Sequence, residues 1–363
     1  MDVTNWIERW VRPEIRDIKA YHVQPAANMI KLDAMENPYG WPPGMQSAWI
    51  ERVRYQAFNR YPDPTAESLR HVLMQELALP DDQTLVFGNG SDELIQIIMM
   101  AFSQPGRCVM APVPTFVMYE MIAKFVGLAF HGVPLQSDFE LDLSAFLNSM
   151  QQHQPAVVFL AYPNNPTGNA FSRQDIEQII QQAPGLVVLD EAYNAFADDS
   201  FISDIQHYPN LIVMRTVSKQ GLAGFRLGYM IGHQAWMAEF DKVRLPYNIN
   251  VVTQMGVTFA LEHSDVLKQQ AEQIKQDRAI LMQALAEFSE VKVFDSQANF
   301  VTLRVPKDQA NRIFSGLKQD GVLIKNLSPM GGLLADCLRV TVGTPNENQA
   351  FLNSFSHHLT SQT

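Results

Sequence analysis

Leu211-Ile-Val-Met-Arg-Thr-Val-Ser-Lys-Gln-Gly-Leu-Ala-Gly-Phe-Arg-Leu-Gly-Tyr229 is the stretch on which the reading of this chain turns. The run Leu211–Arg215 reads as a strand covered by helices on both sides. Ser218 and Lys219 follow it directly, at a strand's C-terminal end, which is the edge of an open α/β sheet where ligands bind. Gly221, Ala223 and Gly224 let backbone or ligand approach closely, and Arg226 offers a fixed fork of donors suited to phosphate. Without its neighbours, the same string also fits a surface Ser-Lys pair followed by a glycine-rich loop.

Working outward, similar short apolar runs occur at Thr84–Phe87, Cys108–Ala111, Val157–Tyr162, Leu186–Asp190 and Leu227–Ile231. Helical patterns at Ser91–Phe102, Phe116–Val126 and Ser172–Gln182 lie between them, an alternation that predicts an α/β domain with a mainly parallel sheet flanked by helices. From Ser264 to Phe288 the pattern changes to one long helix. Leu267, Ala271, Ile274, Leu281, Leu285 and Phe288 form its apolar stripe, interrupted by Arg278. Short strands at Val291–Phe294, Phe300–Val305, Val322–Ile324 and Leu338–Val342 then predict a smaller α+β domain. The expected division is an N-terminal arm over residues 1–30, a large domain over 31–262 and a small domain over 263–363.

The bulk properties narrow the function. With 363 residues, 47% of them hydrophobic, the chain has material for two packed domains. Its 27 Lys and Arg against 38 Asp and Glu give a net charge of -11, which offers no overall field for nucleic acid or anionic lipid. Cys108 and Cys337 stand alone, without zinc-ligand or disulfide spacing, and no metal site is expected. The opening MDVTNWIERW does not read as a signal peptide, and no apolar run is long enough to span a bilayer. A soluble cytoplasmic protein is expected, with no membrane partner.

Three more segments carry chemistry. In Leu186-Val-Val-Leu-Asp190-Glu191-Ala192-Tyr193, an Asp ends a buried strand. Such an Asp can be structural, or can hold magnesium in an ATPase, but the G-x-x-x-x-G-K-[ST] loop that an ATPase needs is missing from the chain. Paired with Lys219, Asp190 instead suits a pyridoxal phosphate site, where a carboxylate beside the pyridine nitrogen keeps the ring protonated. Tyr162-Pro-Asn-Asn-Pro-Thr-Gly168 is a rigid turn that can fix the Asn165 amide, or an ordinary Asn-Pro turn. Phe87-Gly-Asn-Gly-Ser-Asp-Glu93 lacks the third glycine of a dinucleotide loop. It reads as a helix start whose Gly90, Ser91 and Asp92 N–H groups face a phosphate, or as an ordinary capped helix.

Together these segments resemble the fold-type I pyridoxal phosphate (PLP) enzymes, in the group that contains histidinol-phosphate aminotransferase. The resemblance also takes in Met35-Glu-Asn-Pro-Tyr-Gly40, Asn59-Arg-Tyr-Pro-Asp63, Pro114-Thr-Phe116, Ala298-Asn-Phe300 and Leu338-Arg-Val-Thr-Val-Gly343, in order and with matching spacing over nearly the whole chain. It implies that Lys219 is joined covalently to pyridoxal 5′-phosphate, that Asp190 pairs with the pyridine nitrogen, and that Asn165 and Tyr193 contact the phenolic oxygen. Phe116 stacks on the ring in place of a more usual Tyr. Ser218, Arg226 and the Gly90–Asp92 segment hold the phosphate, with Tyr61 reaching it from the neighbouring subunit of a homodimer. The resemblance further implies that Arg339 binds the substrate's anionic end, helped by Lys325 (where an Arg is commoner), Asn37 and, from the arm, Tyr21. The loop from Lys219 to Arg226 is one residue shorter than the usual form.

The activity so implied is transamination of L-histidinol phosphate with 2-oxoglutarate, giving imidazole-acetol phosphate and glutamate in histidine biosynthesis. An aromatic amino-acid aminotransferase or a phospho-amino-acid decarboxylase would share most of these motifs. A non-catalytic PLP-binding regulator is a third reading. Such regulators carry an added DNA-binding domain, and only about 30 residues precede the large domain here.

Overall fold

A computed structural model of the chain describes residues 2–20 and 24–360. Its centre is a seven-stranded sheet in the order Gln83–Gly88, Gly228–His233, Leu211–Thr216, Leu186–Asp190, Val157–Ala161, Cys108–Val113 and Ala129–Pro134. Gly228–His233 runs antiparallel to both of its neighbours, and every other pairing is parallel. Six strands therefore point the same way, and the expected α/β architecture holds.

Side-chain alternation explains why both faces are covered. Val158, Leu160, Val187, Leu189 and Val213 face one core, with Phe146, Ile176 and Ile179 from the helices there. Val157, Phe159, Val188, Ile212 and Met214 face the other, against Leu94, Ile98, Tyr119 and Phe240. Period-two exposure of apolar residues to two helical layers is what apolar runs of this kind require. The outermost strand, Ala129–Pro134, escapes the sequence reading because it is half exposed and carries His131, Gly132 and Pro134. An edge strand of that composition looks like a loop.

The C-terminal part builds a second core. Lys325–Asn326, Cys337–Thr341, Phe300–Arg304 and Lys292–Val293 form an antiparallel sheet. The helices Ala310–Gln319 and Pro345–Thr360 supply Ile313, Leu317, Phe351 and Phe355 to its core. The long helix spans Ser264–Ala286, and the interrupting Arg278 is buried but donates to the carbonyls of Ala298 (2.8 Å) and Phe196 (3.3 Å). Residues just after the arm join this second core. Ile30–Lys31 pairs in parallel with Val322–Leu323, and Leu32 packs there, although the sequence reading starts the large domain at residue 31. Two-residue pairing across the whole chain leaves no local pattern to read. In the arm, the helix Val3–Trp10 is exposed, and Arg12 donates to the carbonyl of Phe125.

Candidate active site

Because six strands share a direction, their C-terminal ends bring the segments that follow them to one edge. Ser91, Phe116, Asn165, Asp190 and Lys219 each come just after or at such an end, and all five line one cavity of about 150 Å³. Asp92, Tyr193, Ser218 and Arg226 complete the expected lining, with Met35, Ala161, Ala192 and Thr216 beside them.

One end of this cavity is a cradle. Ser218 Oγ accepts from Arg226 Nη1 (3.2 Å) and from Thr216 Oγ1 (3.0 Å). Gly90 has φ +83°, and a Cβ there would lie 2.5 Å from Arg226 Nη2. A Cβ on Gly228 would lie 2.7 Å from the Ser91 nitrogen. Only glycines allow the helix start, the strand and the guanidinium to close this tightly. No side chain caps the helix Ser91–Phe102, so its first N–H groups and its dipole are available to an anion. The Gly90 N–H is an exception to the expected set: it donates to the Gly88 carbonyl at 2.8 Å, which leaves Ser91 and Asp92 as the donors.

Asp190 lies buried in the lining of the same cavity. Burial raises its carboxyl from 3.8 to about 6, while hydrogen bonds to the anion from Tyr119 (2.7 Å, to Oδ2) and the Ala192 N–H (3.2 Å, to Oδ1) hold it down. Lys219 is half-buried as a residue with its amine enclosed; its Nζ donates to the Ala34 carbonyl at 3.2 Å and lies 5.9 Å from the Tyr193 ring centre. Burial, and then the Arg339 and Arg226 cations, draw its amine from 10.5 down to about 8. Tyr193 accepts from Asn165 Nδ2 at 3.0 Å, and burial pushes its hydroxyl well up.

A second cavity, of about 130 Å³, shares Met35, Phe116 and Asn165 with the first and is lined by Lys325 and Arg339. Arg339 Nη1 donates to Asn165 Oδ1 at 2.5 Å, and Nη2 to the Asp33 carbonyl at 3.0 Å. Lys325 and Arg339 are direct partners across the antiparallel register, so their cations share one face. Burial and then Arg339 lower the Lys325 amine below its ordinary value.

Two expected residues lie elsewhere, and a third cannot be placed in either cavity. Tyr61 is 81% exposed and stacks on Tyr247 at 4.6 Å between ring centres, away from both cavities of this chain. Asn37 lines neither cavity, because its amide is committed: Nδ2 donates to Gln270 Oε1 (3.0 Å) and Oδ1 accepts from the Tyr39 N–H (2.8 Å). Tyr21 is outside the described residues. The sequence reading missed Tyr119, although its place three residues after Phe116 in a helical pattern was a usable signal. It also gave no role to Met35, which lines both cavities with φ +53°.

A lysine with an enclosed amine, a buried carboxylate and a phosphate-sized cradle on a doubly covered sheet define a PLP-binding transferase. The chain belongs to the class I and II aminotransferase family, whose model matches residues 27–355. It is 54% identical over 348 residues to histidinol-phosphate aminotransferase 2 of Nitrosococcus oceani, covering 96% of this chain and 97% of that one. Histidinol-phosphate aminotransferase 2 of Cupriavidus pinatubonensis is 50% identical, with 97% of each chain covered. Among solved structures, histidinol-phosphate aminotransferase of Sinorhizobium meliloti in complex with pyridoxal-5′-phosphate superposes with a TM-score of 0.87 at 25% identity, over 98% of each chain. The family resemblance carried by the motifs is therefore borne out, and with it the fold, the enzyme class and pyridoxal phosphate as cofactor.

Proposed function

We propose that this chain transfers the amino group of L-histidinol phosphate to 2-oxoglutarate, giving imidazole-acetol phosphate and glutamate. The observation that carries the substrate is the Lys325–Arg339 pair. Like charges directly opposite on a sheet repel, and partial burial makes this worse. A doubly charged phosphate ester, or the carboxylate of a keto acid, relieves that repulsion when it binds between them. The full-length relatives near 50% identity carry the same enzyme name.

The residues present fit the cofactor. The cradle of Ser91, Asp92, Ser218 and Arg226 suits its phosphate, Asp190 its ring nitrogen, Phe116 its ring face, and Asn165 with Tyr193 its phenolic oxygen. When bound, pyridoxal phosphate supplies the carbonyl carbon that takes up an amino group and a ring that accepts electrons. Once the substrate amine has freed it, the Lys219 side chain stays partly neutral near pH 8, because burial lowers its basicity. Its Nζ then takes the proton from the substrate carbon that bears the nitrogen. Asp190 keeps the ring nitrogen protonated, while Arg339 and Lys325 orient the substrate's anionic end. Tyr61, Tyr247 and Leu245 stay exposed at the surface, which supports a homodimer in which Tyr61 completes the partner's phosphate site. Among the described residues no helix is long and apolar enough to cross a membrane. We place the reaction, with its small-molecule substrates, in the cytoplasm.

The direct test is the visible spectrum of the holoenzyme. Histidinol phosphate added without keto acid should bleach the yellow band of the lysine-bound cofactor, and 2-oxoglutarate should restore it. A yellow protein that responds to phenylalanine or threonine phosphate, but not to histidinol phosphate, would overturn the substrate assignment.

A further inference from the structure

Tyr119 belongs to the helix Met118–Val126 and is fully buried, yet its hydroxyl reaches across to the sheet edge. It donates to Asp190 Oδ2 at 2.7 Å. Its ring stacks on Phe159 (4.9 Å, 21°) and meets Phe116 edge-on (5.7 Å, 85°). One side chain thus touches both the aromatic ring that lines the cofactor cavity and the carboxylate at its end. Among the described residues, the other Asp190 oxygen accepts only the longer Ala192 N–H contact at 3.2 Å.

The surroundings of Asp190 otherwise oppose its charge. It is buried, Glu191 follows it in the chain, and Asp92 faces it from the helix Ser91–Phe102. Tyr193, whose hydroxyl burial keeps neutral, adds no positive charge. Tyr119 itself is pushed well above its ordinary value by burial and by Asp190, so it remains a donor throughout the working pH range. A hydrogen bond to the charged form of a buried group is worth more than one to a neutral group.

We propose that Tyr119 is a positioning residue that holds Asp190 as an oriented anion toward the cofactor's ring nitrogen, and so keeps the shared proton on that nitrogen. This rests on the assignment of Asp190 to the ring nitrogen. Removing the hydroxyl makes Asp190 more basic, and the proton moves from the ring toward the carboxylate.

The test uses holoenzyme reconstituted with pyridoxal phosphate labelled with ¹⁵N in the ring, read by NMR at one pH. Tyr119→Phe keeps both ring contacts and loses only the donor. Its ring-nitrogen signal should move toward the unprotonated position, and kcat should fall about 10-fold while KM for the amino donor changes less than about threefold. Phe159→Leu loosens the packing around Tyr119 but leaves its hydroxyl, and should leave the signal in place. A Tyr119→Phe signal and kcat equal to those of the wild type, or an equal shift in Phe159→Leu, overturns the proposal. So does a Tyr119→Phe chain that cannot fold, since the hydroxyl would then be a requirement of the core. Asp190→Asn separates the two levels: if it leaves the nitrogen signal unmoved, the assignment of Asp190 has failed, and the proposal with it.

Discussion

A single buried amine sets the clearest energetic signature of the site. Lys219 ionises near 8 in the fold and near 10.5 when unfolded, so between those values the unfolded chain binds more protons. Folding stability from this group is therefore lost as pH falls through about 8, and is regained as pH rises to about 10.5. At neutral pH the buried ammonium costs up to about 3 kcal/mol. Cofactor-free Lys219→Met should accordingly resist urea better than cofactor-free wild type at pH 7, and the gap should narrow between pH 8 and 10.5. A gap that does not change with pH would mean that the amine is not depressed. Lys219 was legible in the sequence because its strand, its serine and the following glycines are contiguous. Tyr119 carried only its helical spacing from Phe116 as a signal; its role was hidden because its partner Asp190 lies far along the chain and on another element, and only packing brings them together.

At the scale of elements, the central-sheet strands that could be read were apolar runs covered on both faces, and five of them bring a motif to the same edge. What remained hidden was Ala129–Pro134, whose half-exposed composition mimics a loop, and the Ile30–Lys31 pairing with Val322–Leu323, which has no local signature. The helix start at Ser91 shows how one element serves the site. Its anion-binding end depends on Gly90, held at φ +83° against Arg226 and extended at ψ 171°, a region in which L residues are strained. Gly90→Ala should cost about 1–3 kcal/mol of stability in thermal unfolding, from backbone strain. The new Cβ must also push Arg226 away from Ser218, so affinity for pyridoxal phosphate should fall about 10-fold or more. Wild-type affinity in a destabilised Gly90→Ala protein would show that this guanidinium does not hold the phosphate.

At the scale of the molecule, the proposed homodimer turns on Tyr61, which lines neither cavity of its own chain. Tyr61 stands exposed beside Tyr247, on the surface and away from the cradle of its own chain. If a partner completes the cradle, then each catalytic unit draws Lys219 from one chain and Tyr61 from the other. Two defective chains should then repair one another. Lys219→Ala homodimers should lose turnover almost completely, and Tyr61→Ala homodimers should bind the cofactor weakly. In a mixed dimer, one site collects both defects while the other receives an intact Lys219 and an intact Tyr61. Co-refolding equal amounts makes half of the dimers mixed, so about a quarter of all sites should recover wild-type turnover at limiting cofactor. Recovery should grow with mixing and then saturate, since it follows subunit exchange. If activity instead stays at the average of the two parent preparations, Tyr61 acts within its own chain or not at all, because shared sites are the only arrangement in which two broken chains yield a whole one.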